Sequence, residues 1–264
     1  EKLISSGGGI FSRAAKSINI SPEMQSRFDI EPATLTPNEL ISHLLRARVD
    51  LLWNGGIGTY VKSRGESHAD AGDKANDAVR INGAELRAKV VGEGGNLGMT
   101  QLGRVEYALS GGRVNTDFID NAGGVDCSDY EVNIKILLND RVAAGDLTVK
   151  QRNVLLEEMT DDVGGLVLKD NDSQARAISV AESRGERGIE EYLRFIQSIT
   201  ASGRLNRELE FIPDDDVLRD RRNKGKGFMR PELAVLSAYS KALLKDTLVD
   251  SSLPDEPYVG RILA

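Results

Sequence analysis

The spacing of apolar positions changes near residue 126. Ahead of that point, short apolar runs break off at turns. Arg48-Val49-Asp50-Leu51-Leu52-Trp53 and Lys89-Val90-Val91 each run into a glycine cluster, which predicts two strands. Thr36-Pro37-Asn38-Glu39 precedes Leu40, Ile41, Leu44 and Leu45, and predicts a helix with Thr36 as N-cap, Pro37 in the first turn and Glu39 closing a capping box. Strands alternating with helices are the layout of a parallel sheet, so this half reads as α/β. The polar stretch 62–80 predicts an exposed excursion leading into a helix, mobile near 62–72. Beyond residue 126, Val132, Ile136 and Val142 open a series of amphipathic segments that continues to the C-terminus. Thr148-Val149-Lys150-Gln151 is a second capping box, and Gly164-Gly165 is expected to end the helix it starts. Further helices are expected over 172–184, 186–201 and 231–248, the last with Pro231 in its first turn.

Glycine marks the same boundary, since 18 of the 27 fall in residues 1–125. Hydrophobic residues at 40% and charged residues at 28% of 264 positions allow a sizeable core and exclude a disordered chain. A net charge of −7 repels nucleic acid and anionic membranes, and no apolar run reaches the roughly 18 residues of a membrane span. Neither partner is expected, and the chain reads as cytoplasmic. One cysteine, Cys127, and two histidines, His43 and His68, exclude a disulfide framework and leave no Cys/His cluster for a metal. His43, beside Leu44 and Leu45, reads as a packed or surface residue, and His68 as a loop residue in solvent. The run Arg219, Arg221, Arg222, Lys224 and Lys226 follows Asp214-Asp215-Asp216 and reads as a solvated or salt-bridged face, with phosphate binding as the alternative. The opening at Glu1 rather than methionine points to a piece of a longer polypeptide.

Glycine clusters at strand ends let a phosphate or ribose approach the main chain where no Cβ intervenes. Gly92-Glu93-Gly94-Gly95-Asn96-Leu97-Gly98 misses the G-x-G-x-x-G phosphate fingerprint by one residue and is a weak motif by itself. Trp53-Asn54-Gly55-Gly56-Ile57-Gly58-Thr59 ends another strand, and its plain reading is a tight turn beside a core tryptophan. Gly7-Gly8-Gly9 reads as a connector. In Asp120-Asn121-Ala122-Gly123-Gly124-Val125-Asp126-Cys127-Ser128, an amide, two glycines and a hydroxyl could converge on a carboxylate or amide. Ser128 reads equally as the N-cap of a helix starting near Asp129, with Glu131 as its box partner. Local sequence leaves both open.

Val91-Gly92-Glu93-Gly94-Gly95-Asn96 and the downstream Asp120-Asn121-Ala122-Gly123-Gly124-Val125-Asp126-Cys127-Ser128-Asp129-Tyr130-Glu131 resemble the glutamate/leucine/phenylalanine/valine dehydrogenase superfamily. Residues 4–13, 51–61, 131–135 and Met229-Arg230-Pro231-Glu232-Leu233-Ala234-Val235-Leu236 are similar to its large bacterial NAD-specific glutamate dehydrogenase branch. The resemblance implies a partial Rossmann-type nucleotide-binding domain over residues 1–135, its second half, followed by an all-helical C-terminal region over 136–264. It implies NAD as cofactor and L-glutamate and 2-oxoglutarate as ligands. The remainder of a parent chain and further copies of the parent would be its partners. By the same resemblance Asn54, Gly55, Gly94, Gly95 and Asn96 lie along the dinucleotide, Asn121 meets the nicotinamide carboxamide beside the substrate, and Ser128 meets the substrate side-chain carboxylate. The family's catalytic lysine and aspartate and its phosphate loop lie upstream of the matched motifs, so no catalytic residue is assigned within the chain. A competing reading makes the isolated piece a structural or interaction module that binds no ligand.

Overall fold

The computed structural model describes residues 3–259. In chain order the regular elements are β1 (Ile18–Asn19), α1 (Pro22–Phe28), β2 (Thr34–Leu35), α2 (Pro37–Leu45), β3 (Leu51–Asn54), β4 (Val61–Lys62), β5 (Ile81–Asn82), β6 (Val90–Glu93), α3 (Gln101–Leu109), α4 (Asp117–Asp120) and α5 (Ala122–Ala144). They are followed by α6 (Val149–Glu158), α7 (Thr160–Ser183), α8 (Ile189–Ala201), α9 (Asp215–Asn223) and α10 (Arg230–Val249). The chain is therefore mixed α/β with small sheets, and among the described residues the regular structure is wholly helical from Ala122 onward. It divides into two compact units, residues 1–177 and 178–264. No helix of the described residues is long and apolar enough to cross a membrane.

In the first unit, β3 runs parallel to β6, with Leu51 opposite Val90 and Asn54 opposite Glu93. The other edge of β6 meets the segment at Arg113: Val91 donates its N–H to Arg113 and Arg113 returns its own to Lys89, at 2.9 and 3.1 Å. A second parallel group places β4 beside β5 and bridges Val61 to Met99. Both pack on one core that includes Val61, Ile81, Val91, Met99, Tyr107 and Val114. The Tyr107 hydroxyl donates to the Ala88 carbonyl at 2.8 Å, so the largest core aromatic ties α3 under β6. A satellite core gathers Ile18, Ile20, Met24, Ile30, Leu35 and Leu40 around α1 and α2. The predicted box of α2 is formed, with Glu39 N–H donating to Thr36 Oγ1 and Thr36 N–H to Glu39 Oε2. That of α6, built on Thr148 and Gln151, is formed too.

Three local expectations are corrected. Trp53 is not in the core: it is 58% exposed. Strand alternation puts Leu51 and Trp53 on one face and Leu52 and Asn54 on the other, and the core lies under Leu52. Gly164-Gly165 does not end a helix, because the break falls at Met159 and α7 runs through both glycines to Ser183. Two glycines cost a helix interior about 1 kcal/mol each, and α7 keeps the tertiary contact of Asp170 with the Tyr130 hydroxyl at 2.8 Å. The 62–80 stretch leads into a single 3₁₀ turn, Lys74–Asn76, rather than a helix.

In the second unit, α8 buries Ile189, Ile196 and Ile199 and α10 buries Pro231 through Leu236. Tyr192 meets Phe228 edge-to-face, with ring centroids 5.5 Å apart. The basic run is salt-bridged. Arg219 pairs with Asp216, Arg222 with Glu190 and Lys224 with Asp220, while Arg221 is buried against Glu232.

Candidate functional site

Ligands of parallel α/β sheets bind beyond the carboxyl ends of the strands. That edge is where the predicted residues collect. Asn54 is the last residue of β3, Gly94, Gly95 and Asn96 follow β6, and Asn121 closes α4 downstream of the Arg113 segment. The Asn121 side-chain amide donates to Asn96 Oδ1 at 2.8 Å, so two residues far apart in sequence meet directly. Each is left with further donor and acceptor capacity to offer a ligand.

The two glycine turns are pressed together. A Cβ on Gly95 would stand 2.5 Å from the Gly56 carbonyl oxygen, a separation no side chain could accept. Trp53 lies across the same strand ends, and a Cβ on Gly94 would fall 2.3 Å from its indole. Gly55 sits at the indole edge, where a Cβ would come 3.3 Å from Trp53 Nε1. Asn54 turns the other way, inward against Gly98. Its Nδ2 is buried without a hydrogen-bond partner among the described residues, which costs free energy in a closed protein and calls for an acceptor.

Ser128 stands apart from this group. The helix α5 begins at Ala122, so Ser128 lies in its second turn and not at an N-cap. Its exposed hydroxyl donates back to the Gly124 carbonyl at 3.0 Å. The capping alternative is thereby removed, and the hydroxyl is held by a single bond of the exchangeable kind that serines make inside helices.

The pieces that hold the site were not singled out from the sequence. Glu93 is fully buried and forms a two-point pair with Arg104 of α3, Nε to Oε2 at 2.6 Å and Nη2 to Oε1 at 2.9 Å. Met99 N–H adds a third donor at 3.1 Å. Burial pushes the Glu93 carboxyl up from its ordinary range, against the pull of the Arg104 guanidinium. Arg104 also reaches Asp117 at 3.2 Å, and Asp117 accepts the N–H of Leu97 at 2.8 Å. Leu97 has φ of 58°, a left-handed conformation rare outside glycine, and this bond fixes it. Asp120 accepts Glu93 N–H at 3.0 Å and the Asn115 amide at 2.8 Å. The 93–99 turn is thus held at both ends by carboxylates. One signal was available: Val91 and Glu93 share the inward face of a strand, and an acid there needs a buried cation.

His68, expected in solvent, is half exposed with Nδ1 2.9 Å from Arg80 Nη1, and His43 is half-buried on α2. Among the described residues no group of three or more His, Cys, Asp or Glu side chains could hold a metal ion.

Residues 1–181 match the family model of the bacterial NAD-glutamate dehydrogenase catalytic domain, and residues 225–264 match that of the glutamate dehydrogenase C-terminal region. The chain is 63% identical over 260 residues to the NAD-specific glutamate dehydrogenase of Pseudomonas aeruginosa, which covers 98% of this chain and 16% of that protein. It is 57% identical over 262 residues to the enzyme of the same description from Halomonas elongata, covering 99% of this chain and 16% of that protein. For the Mycobacterium tuberculosis protein the identity is 47% over 260 residues, covering 96% and 16%. The chain therefore spans about one sixth of the length of the relatives it matches.

Proposed function

Because the chain belongs to the bacterial NAD-glutamate dehydrogenase family, we propose that it forms the second half of a Rossmann-type nucleotide-binding domain and a helical C-terminal region of a larger enzyme. That enzyme would oxidise L-glutamate to 2-oxoglutarate and ammonia with NAD. The observation that carries the reading is the Asn96–Asn121 amide pair, which joins the turn after β6 to the end of α4. The parallel order of β3, β6 and the Arg113 segment agrees with half of a doubly wound sheet.

The residues present fit a dinucleotide. The glycines at 94, 95 and 98 let the turns at 54–58 and 94–98 close on each other and on the Trp53 indole, Gly56 is open to approach, and the orphaned Asn54 amide is a donor in want of an acceptor. Asn54, Gly55, Gly94, Gly95 and Asn96 would line the cofactor, and Asn121 would hold the carboxamide. When bound, NAD supplies the hydride acceptor, and the chain's part is orientation. An amide at 121 suits this task because one donor and one acceptor fix a carboxamide in a single rotation, and so fix which ring face meets the substrate. The Asn96 contact holds the Asn121 side chain in place beforehand. Ser128, further along α5, would meet the substrate's distal carboxylate once its hydroxyl turns from Gly124.

The test is Asn121→Ala in the full-length polypeptide. Glutamate-dependent NADH formation should fall steeply while the fold, followed by circular dichroism, is kept; unchanged kinetic constants would overturn the reading. The 264-residue chain alone is expected to form no NADH.

A further inference from the structure

The polar 62–80 segment carries no residue of the proposed site, yet its polar side chains converge on one residue beside it. Thr59 lies buried just past the first glycine turn. Its N–H donates to Asp73 Oδ2 at 2.8 Å and its carbonyl accepts Arg80 Nε at 2.8 Å. Its hydroxyl donates to the Leu97 carbonyl of the second turn at 2.7 Å. Thr59 is thus gripped from the excursion through its main chain and grips the other turn through its side chain.

The gripping groups are themselves fixed. The Arg80 side chain is wholly buried, donates to Asp77 Oδ1 at 2.6 Å and also reaches the Asp73 carbonyl. The Asn76 amide donates to Asp73 Oδ2 at 2.6 Å. Gly58 has φ of +125°, and a Cβ there would fall 2.7 Å from Asn76 Nδ2, so the excursion packs directly on the turn's glycine. A surface loop with no role need not bury an arginine, which requires every donor to find a partner. This one is spent on the backbone of residues 59 and 73 and on the side chains of Asp77 and His68.

We infer that the 62–80 excursion is a positioning clamp: through Asp73, Arg80 and Thr59 it sets the separation of the 54–58 and 94–98 turns, and so governs dinucleotide affinity without touching the ligand. The inference rests on the proposed placement of NAD along those turns.

The decisive substitution is Thr59→Val in the full-length polypeptide, which keeps the shape and removes the bond to Leu97. Loss of one such bond should raise the KM for NAD about fivefold, with kcat and the KM for glutamate changed less than about twofold, because no reacting group is contacted. Thr59→Ser restores the hydroxyl and should return the NAD constant to the parent value. Asp73→Asn removes an acceptor from the other side and should shift the same constant in the same direction. A lowered melting temperature with all three constants unchanged would overturn the clamp. So would an equal rise in both KM values. If Thr59→Val fails to fold, the Asp73→Asn and Thr59→Ser constants decide by the same criteria. Failure of the underlying reading looks different: parent polypeptide that shows no saturable dependence on NAD at all.

Discussion

Each unit of the chain buries one arginine against one glutamate eleven positions away, and the two pairs are put to different uses. In the first unit Arg104 grips Glu93 with two nitrogens, and Glu93 spends its remaining capacity on Met99 N–H at the far end of a glycine turn. In the second unit Arg221 reaches Glu232 with a single bond of 2.7 Å, and the same carboxylate oxygen accepts Met229 N–H at the start of α10. Burial raises both carboxyls above their ordinary range. One pair anchors the 93–99 turn, which the proposed function sets along NAD. The other finishes a helix end and joins it to α9. A buried ion pair is weak support for net stability, since desolvation offsets much of the attraction. What it does supply is a fixed geometry, and the geometry matters to ligands only where the pair stands under a binding turn.

The largest effects should come from breaking the pairs. Arg104→Met and Arg221→Met each strand a buried carboxylate, and each should cost about 3–5 kcal/mol in a urea unfolding experiment. The isosteric Glu93→Gln and Glu232→Gln are milder and separate the two uses. In full-length enzyme the first should raise the KM for NAD and the second should leave it alone. An equal response of that constant to both would erase the distinction between the units.

How far the sequence itself foretold this division can be read from particular residues. The boxes at Thr36 and Thr148 were legible because donor and acceptor lie three residues apart and need no tertiary partner. Asn96 and Asn121 were singled out through motif resemblance; nothing in their spacing says that their amides touch. Trp53 was misplaced because hydrophobicity was weighed without strand parity, which sends it to the face away from Val91. The helix stop at Gly164-Gly165 failed because glycine's cost is small beside the contacts that carry α7 past it. Glu93–Arg104 and Asp73–Thr59 pair a strand end with a helix or an excursion, and such pairs exist only once the sheet has formed.

Within the first unit, Asn121→Asp sharpens the comparison further. A carboxylate at 121 would face Asn96 Oδ1, now 2.8 Å from the donor it replaces, and would force the Asn96 amide to turn over. The donor end of the proposed carboxamide contact then becomes an acceptor and brings a negative charge against the carboxamide oxygen. Misrotation of the ring should cost about a hundredfold in kcat/KM with either ligand varied. A complex with NAD in which the Asn121 amide points away from the carboxamide would remove the basis for this.

Ser128→Ala should act more weakly and on one ligand. A hydrogen bond to a carboxylate contributes about 1.5 kcal/mol, roughly a tenfold rise in the KM for glutamate with that for NAD nearly unchanged. If neither constant moves, the hydroxyl serves only its bond to Gly124.

The smallest effect belongs to the second unit and touches no ligand constant. The Tyr239 hydroxyl of α10 donates to Glu210 Oε1 at 2.7 Å. Burial, then the bond and the negative charge of Glu210, push its pKa up to about 12. A phenol whose folded-state pKa lies above its unfolded value near 10 contributes stability that is fully present below that unfolded value. The contribution is lost as pH rises through about 12. Tyr107, Tyr130 and Tyr192 are also raised above the ordinary phenol range, so alkaline titration followed by phenolate absorbance should show several late tyrosines, and Tyr239→Phe should remove one tyrosine's worth of absorbance from the part near pH 12. The same substitution should change the unfolding free energy by the same amount with or without Arg104→Met, since the two sites share no partner and their effects add. If the late absorbance is the same size in Tyr239→Phe, the bond to Glu210 is not what delays an ionisation near pH 12.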